Sequence, residues 1–299
     1  MPISKPLNKL KREIARTLSN IGLKTIKTNY YGLDLTVPML HGVGRKLVVP
    51  DDPWMSRCLK QQLALKPGAV IDIGANAGIY LVKLKAIDND RQYIGFEPNP
   101  LCKYYVSEVI RLNNFKKSSC FPFAISNKDE VRMLYASKAD DAGASLIQEF
   151  KHEADLSYST EVVTVVGDQF LKLLELPDGI STIKIDVEGA ELEVLEGLRE
   201  TIKQFKPTFC CEIWNPVDDG MPGYQQRVDR LKELFELLDE YNYVVYGATQ
   251  NSTLHEIKDV KALNSSYRPE YMLAHKDDSA AMLKAFEREK DIHIDTPLD

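Results

Sequence analysis

Four carboxylates in this chain stand where an apolar run gives way to a turn. Asp72 closes Val70-Ile71, Glu97 follows Tyr93-Ile94-Gly95-Phe96, Asp186 follows Ile183-Lys184-Ile185, and Glu212 follows Phe209-Cys210-Cys211. In an open α/β sheet the ligand sits outside the carboxyl ends of the strands, so acids at strand ends are placed to do chemistry. Asp72 leads directly into Ile73-Gly74-Ala75-Asn76-Ala77-Gly78, and Ile79 to Ala86 reads as the first turns of a helix. Strand, glycine turn and helix is the arrangement that presents a nucleotide-like ligand to a helix N-terminus.

Electrostatics chooses between the ligands that use such a turn. A dinucleotide lays a doubly charged pyrophosphate there, with the spacing G-x-G-x-x-G. The spacing here is Gly74, Asn76, Gly78, with a carboxylate two residues ahead of the first glycine. Asp72 would repel a pyrophosphate and suits a ligand with a sulfonium and an α-ammonium group, which is S-adenosylmethionine. Glu97, about twenty residues on, can accept both hydroxyls of a ribose; that serves either cofactor, and the plain alternative is a surface acid at a strand end.

Elements must hold these groups together. Strands are expected at 70–73, 92–97, 118–123, 181–186, 207–212, 241–246 and 270–275, with further strands at 131–135 and 162–166. Helices are expected at 54–64, 101–112, 169–175, 188–199 and 224–238, with Asp168 as the N-cap of the third. Alternation of strand and helix argues a doubly wound α/β sheet. The polar stretch 136–160 reads as a loop over the ligand cleft, because long loops without structure of their own usually carry function. Trp54 reads as core, and His152 as a solvated loop residue.

The chain of 299 residues is 44% hydrophobic and 27% charged, ordinary for a globular protein, with a net charge of −6. Residues 1–30 hold seven Lys and Arg against Glu13 alone, so this arm carries +6 and the remainder −12. Leu7, Leu10, Ile14, Leu18 and Ile21 recur at helical spacing, giving a basic amphipathic helix that docks on its own domain, on a partner, or on an anionic membrane surface. A β-rich lead-in follows to residue 50. Five cysteines, Cys58, Cys102, Cys120, Cys210 and Cys211, show no C-x-x-C spacing, so reduced thiols in a cytoplasmic protein and no zinc site are expected. With an acidic body and no basic-aromatic stripe, a nucleic-acid partner is not expected.

Taken together, Asp72 to Gly78, Phe96-Glu97-Pro98-Asn99, Ala124-Ile125-Ser126 and Ile183-Lys184-Ile185-Asp186-Val187-Glu188-Gly189-Ala190-Glu191 resemble the motifs of the FkbM-type family of S-adenosylmethionine-dependent methyltransferases, in the family's order over roughly 69–215. The resemblance implies the class I methyltransferase Rossmann-like fold: a seven-stranded, mostly parallel sheet with helices on both faces and its last strand reversed. It implies a methyltransferase domain over 51–276, preceded by the helix and lead-in of 1–50 and followed by a charged tail at 277–299. It also implies that Asp72, Gly74, Asn76 and Gly78 wrap the methionine and ribose, that Glu97 binds the ribose, and that Asn99 and Ala124 lie near ribose and adenine. The implied acceptor is a hydroxyl of a sugar, glycan or natural product.

An alcohol becomes a nucleophile only as its proton leaves, which calls for a positioned base or a metal. Asp186 and Glu188 are the candidates for the base, with Lys184 on the same strand face as Asp186 and Glu212 at the next strand end. The same carboxylates offer oxygen ligands to Mg²⁺, and the metal question stays open at this stage. Glu188 has a plain reading as an acid at a helix start, and Glu212 as a solvated strand end. An NAD(P)-dependent oxidoreductase on a similar sheet is the alternative enzyme, opposed by Asp72. A non-catalytic binding protein is the other alternative, opposed by the retention of Asp72, Gly74, Gly78, Glu97 and Asp186.

Overall fold

The computed structural model describes residues 13–14, 17, 22–40, 43–49, 53–139, 141–152, 156–214, 220–288 and 293–294. Most of the N-terminal amphipathic helix therefore lies outside the described residues. The β-rich lead-in, expected from residue 30, starts earlier: Thr25–Tyr30 is a strand, β1, paired antiparallel with Leu33–Pro38, β2. Thr25, Ile26 and Thr28 favour extended backbone, and Tyr31 and Gly32, at φ 49° and 93°, make the left-handed two-residue turn that a tight hairpin needs.

Helix α1, Trp54–Leu65, leads to β3, Ala69–Ile73, then α2, Ile79–Ile87, and β4, Tyr93–Phe96. Helix α3, Pro100–Leu112, is opened by Asn99, whose side chain accepts from the Leu101 and Cys102 N–H groups, with Pro100 at the first helical position. After β5, Ser118–Phe121, three strands form a separate small sheet: β6, Ala124–Ser126, β7, Glu130–Ala136, and β8, Tyr158–Val166. Helix α4, Gly167–Leu171, precedes β9, Ile180–Ile185.

Two local expectations are corrected here. Asp168 lies inside α4 and caps a different helix, α6, Arg199–Phe205: its two oxygens accept the Glu200 and Thr201 N–H groups at 2.8 Å each. The helix expected at 188–199 starts later and breaks, as α5, Glu191–Glu196, before α6. Glu188 and Gly189 have φ of 54° and 109°, which no α-helix accommodates, so Glu188 belongs to a turn.

Strand β10, Thr208–Glu212, helix α7, Tyr224–Glu240, strands β11, Tyr243–Ala248, β12, Thr253–Ile257, and β13, Glu270–His275, helix α8, Lys276–Glu287, and β14, His293–Ile294, complete the described elements. The charged segment from 277 thus begins as a helix of the body, burying Met282, Leu283 and Phe286.

The main sheet runs β14-β12-β11-β13-β10-β9-β3-β4-β5. All seven expected strands are in it, with β13 antiparallel to both neighbours and inserted between β10 and β11. The additional β12 and β14 extend the edge to nine strands. This is the class I methyltransferase-like α/β fold. One large apolar core packs β3, β4, β9 and β10 against α5, α6 and α7, a second packs β3 against α2, α3 and the N-terminal hairpin, and a third packs α1 and α8 against β10, β11 and β13. Strand order reverses between β3 and β9, and a ligand crevice is expected at their carboxyl ends.

Candidate active site

The turn after β3 is forced into an unusual path. Gly74, Asn76 and Gly78 all have positive φ, at 83°, 47° and 74°. A Cβ on Gly74 would lie 1.9 Å from the carbonyl oxygen of Asp186, so this position needs a glycine for space as well as for conformation. Glu97 locks the turn to the end of β4: its Oε2 accepts from the Asn76 N–H at 2.6 Å and its Oε1 from the Asn99 N–H at 2.8 Å. Burial pushes the Glu97 carboxyl up to about 7, despite the two backbone donors that favour the charged form.

Outside these strand ends lies a cavity of about 630 Å³, with Phe96, Ala124, Ile125, Leu134 and Leu146 as its apolar part. Behind Phe96 stand Phe121, Phe123 and Phe170, their rings within 5.7 Å of it, which makes that wall stiff. Gly74, Asn76, Glu97, Asn99 and Ala124, five of the seven residues expected at the cofactor, line this cavity. The loop 137–147 borders it, supplying Asp141, Ala142 and Ala144. It is tied to the turns by the Asn76 and Asn99 amides, which donate to the Ala142 and Ala139 carbonyls at 3.3 and 2.8 Å.

Asp72 and Gly78 stand behind the cavity instead of lining it. Asp72 sits within β3, fully buried, accepting from the Tyr93 hydroxyl at 2.7 Å, with the Lys184 ammonium 3.2 Å away. One residue short of the strand end, its side chain turns onto the sheet face. Gly78 is the N-cap of α2.

A second, wider cleft of about 1790 Å³ opens beside the first, and Asn76, Asp141, Ala142, Asp186 and Glu188 line both. Lys46 from the N-terminal segment, Glu212, Trp214 and Glu270 line the second and not the first. Lys46, Asp141 and Trp214 were not singled out from the sequence. Asp141 carried a weak local signal, an acid in a run of small residues, and its oxygens accept from the Ser137 N–H and hydroxyl and the Gly143 N–H. Lys46 and Trp214 carried none, since tertiary packing alone brings them to the cleft.

The acids meet at the seam between the cavities. Lys184 donates to the Gly74 carbonyl at 2.7 Å and lies 3.0 Å from Asp186 Oδ2. Burial would raise the Asp186 carboxyl, yet the Lys184 charge and a hydrogen bond from Glu212 outweigh it and hold Asp186 below its usual value. Glu212, raised by burial and by that same bond, is pushed up to about 10 and keeps its proton. Glu188 is pushed up to about 7 by burial and by the Asp186 charge. Its left-handed backbone is held by the Ser145 hydroxyl, which donates to the Glu188 carbonyl at 2.7 Å. Non-glycine residues in this conformation persist where the surroundings over-determine them, commonly at functional sites.

Asp186, Glu188 and Glu212 bring one oxygen each within 4.8 Å of one another, a number and spacing that a divalent cation accepts. The cluster is nonetheless balanced by the protein's own charges, the ammonium of Lys184 on Asp186 and the proton of Glu212.

A glycine turn, a buried glutamate at the next strand end and a reversed strand are features of the class I methyltransferase-like fold. Residues 72–245 match the methyltransferase FkbM domain, more than half of the chain, and the protein belongs to that family. A curated relative, methyltransferase sdnD of Sordaria araneosa, is 26% identical over 195 residues, 55% of this chain and 71% of its own. A methyltransferase FkbM structure from Methylobacillus flagellatus KT aligns with a TM-score of 0.44 and 15% identity, over 70% of this chain and 44% of that one. A human methyltransferase 10 domain-containing protein aligns at 0.42 and 14% identity, over 89% and 97%. The family is S-adenosylmethionine-dependent.

Proposed function

We propose that this chain transfers a methyl group from S-adenosylmethionine to a hydroxyl of a small-molecule or glycan acceptor, with Glu188 as the general base. The observation that carries this reading is the position of Glu188, on a held turn, lining both cavities. The smaller cavity fits the cofactor: an apolar floor for a purine, Glu97 for a ribose diol, and the turn at Gly74 to Asn76 for the amino-acid end. S-adenosylmethionine, when bound, supplies an electrophilic methyl group.

The protein's own residues do the rest. A carboxyl near pH 7 is matched to accepting a hydroxyl proton at neutral pH, and Glu188 is so tuned. Asp186, held ionised by Lys184, is a weaker base but a strong acceptor that can orient the hydroxyl, and the protonated Glu212 keeps a second anion out of that corner. This moves the base from Asp186, the residue the strand pattern favours, to Glu188, leaving Asp186 and Lys184 to orient and to balance charge. The wider cleft takes the acceptor, and sugar hydroxyls suit its many carboxylates as hydrogen-bond donors.

The test is methylation of an acceptor panel of sugars and glycans, read by mass spectrometry, with the parent, Glu188→Gln and Asp186→Asn. Loss of the base costs about 10²–10⁴ in rate. Glu188→Gln is expected to lose rate on that scale while binding S-adenosylhomocysteine as the parent does. Turnover at the parent rate ends the role of Glu188, and methylation confined to nitrogen ends the hydroxyl assignment. A chelator that stops the reaction, with rescue by added Mg²⁺, would transfer the activation of the hydroxyl to a metal.

A further inference from the structure

The turn that carries Glu188 also borders a third cavity, of about 330 Å³, lined by Gly189 and Glu191 from that turn. Trp214 lines it as well as the wider cleft and is 44% exposed, so one indole ring serves both spaces. Phe150, Leu231 and Leu234 give it apolar surface. Two guanidinium groups, Arg227 and Arg230, complete the polar part.

The two arginines are in different states. Arg230 is committed, pairing with the Glu193 carboxylate through both terminal nitrogens and donating to the Gly189 carbonyl at 3.0 Å. Among the described residues Arg227 donates to two backbone carbonyls, Pro222 through Nε at 3.0 Å and Phe150 through Nη2 at 2.9 Å. Its guanidinium lies over the Phe150 ring, 4.0 Å from the centroid. Among the described residues no carboxylate stands within ion-pair distance of it. Five N–H donors are available to an arginine, so three remain beyond these two bonds, on a residue that lines the cavity. Glu191 and Glu188 act on it electrostatically from beyond ion-pair distance, and a planar oxyanion matches the geometry of its remaining donors. The one carboxyl in the lining, Glu191, is raised by burial to about 7 and accepts from the Gly189 N–H, so it opposes an incoming anion only in part.

We propose that this cavity is an acceptor subsite for an oxyanion, carboxylate or phosphate, attached to a ring or apolar body, with Arg227 as its ligand and Trp214 as the platform joining it to the cleft. The proposal rests on the wider cleft being the acceptor site. It narrows the acceptor to a molecule carrying both a reactive hydroxyl and an anionic group.

Binding is measured without methyl donor, by calorimetry and by Trp fluorescence, using phenyl phosphate, benzoate and benzyl alcohol as probes. At least one of the two anions is expected to bind about tenfold or more tightly than the alcohol, as a charge-assisted fork contact predicts. Which of the two binds better distinguishes phosphate from carboxylate. Arg227→Gln is expected to erase the preference and Arg227→Lys to keep part of it, with Trp214→Phe removing the fluorescence response. Equal affinity for all three probes, binding of none, or a preference that survives in a folded Arg227→Gln overturns the subsite. Binding of S-adenosylhomocysteine is measured separately, so that its failure beside a retained anion preference would overturn the cofactor reading and leave the subsite standing.

Discussion

Lys184 and Asp72 face each other across neighbouring parallel strands, paired in register, with the ammonium 3.2 Å from a carboxylate that has no exposure to solvent. The same ammonium reaches Gly74 and Asp186, so one side chain ties a buried strand acid to the glycine turn and to the acid cluster. Asp72 therefore acts on the site through Lys184, which converts a buried charge into the position of a turn.

Removing Lys184 would leave Asp72 buried with the Tyr93 hydrogen bond but without its ion-pair partner. Breaking a buried pair in this way typically costs about 3–5 kcal/mol. Lys184→Met is expected to lower the urea midpoint accordingly, and Asp72→Asn in the Lys184→Met background to restore part of the loss. An unchanged midpoint in Lys184→Met would mean that Asp72 finds another partner.

Glu97 sets a pH dependence on cofactor binding. In the proposed cofactor site its carboxyl, at about 7 in the free protein, accepts two ribose hydroxyls when ionised, so affinity is expected to fall as pH drops through 7. The limiting slope is about tenfold per pH unit for one proton. Calorimetry with S-adenosylhomocysteine between pH 5.5 and about 8 should show this in the parent and a flat, weaker curve in Glu97→Gln.

The same shift has the opposite sign for the free protein's stability. Between the ordinary value of 4.5 and about 7 the folded state holds a proton on Glu97 that the unfolded chain has released. Stability from this group therefore rises as pH falls from above 7 toward 4.5, and Glu188 and Glu191, also raised to about 7, add in the same direction. His275, whose burial lowers it, opposes them below its ordinary 6.5. Melting curves across this window should flatten in Glu97→Gln, and an equal pH slope in variant and parent would count against a buried, proton-holding Glu97.

Two glycines with positive φ separate space from conformation. Gly32, at φ 93°, has nothing within 4 Å of a built Cβ, so Gly32→Ala should cost only the left-handed penalty, about 1–2 kcal/mol. Gly74→Ala adds the collision with the Asp186 carbonyl, and overpacking costs about 1–3 kcal/mol more. Gly74→Ala should melt lower than Gly32→Ala and lose S-adenosylhomocysteine binding, which Gly32→Ala should keep.

Asp168 caps the helix Arg199–Phe205 from another helix. Asp168→Ala is expected to destabilise by about 0.5–2 kcal/mol with no change in cofactor affinity. A larger change in binding than in melting would mean that this helix communicates with the cavity.

Seven strands of the main sheet were legible because each is a short apolar run ended by turn chemistry, and that signal is local. The shared face of Lys184 and Asp186 was legible for the same reason, since side chains alternate along a strand. That the glycine turn and Glu97 come together at one cavity was legible because adjacent parallel strands place their ends side by side. What local pattern cannot hold is the identity of the partner. Register across β3 and β9 decided that Lys184 meets Asp72, and helix α6 arriving beside α4 decided that Asp168 caps it. The local pattern at Glu188 is that of a helix start, and tertiary packing of Gly189 under the Phe150 ring, where a Cβ would come within 2.4 Å, makes it a turn instead. The proton affinities of Glu97, Glu188 and Glu212 belong to tertiary structure alone, because desolvation comes from residues distant in the chain. So does the cavity beside Trp214 and Arg227, which exists only once helix α7 lies against the turn at Gly189.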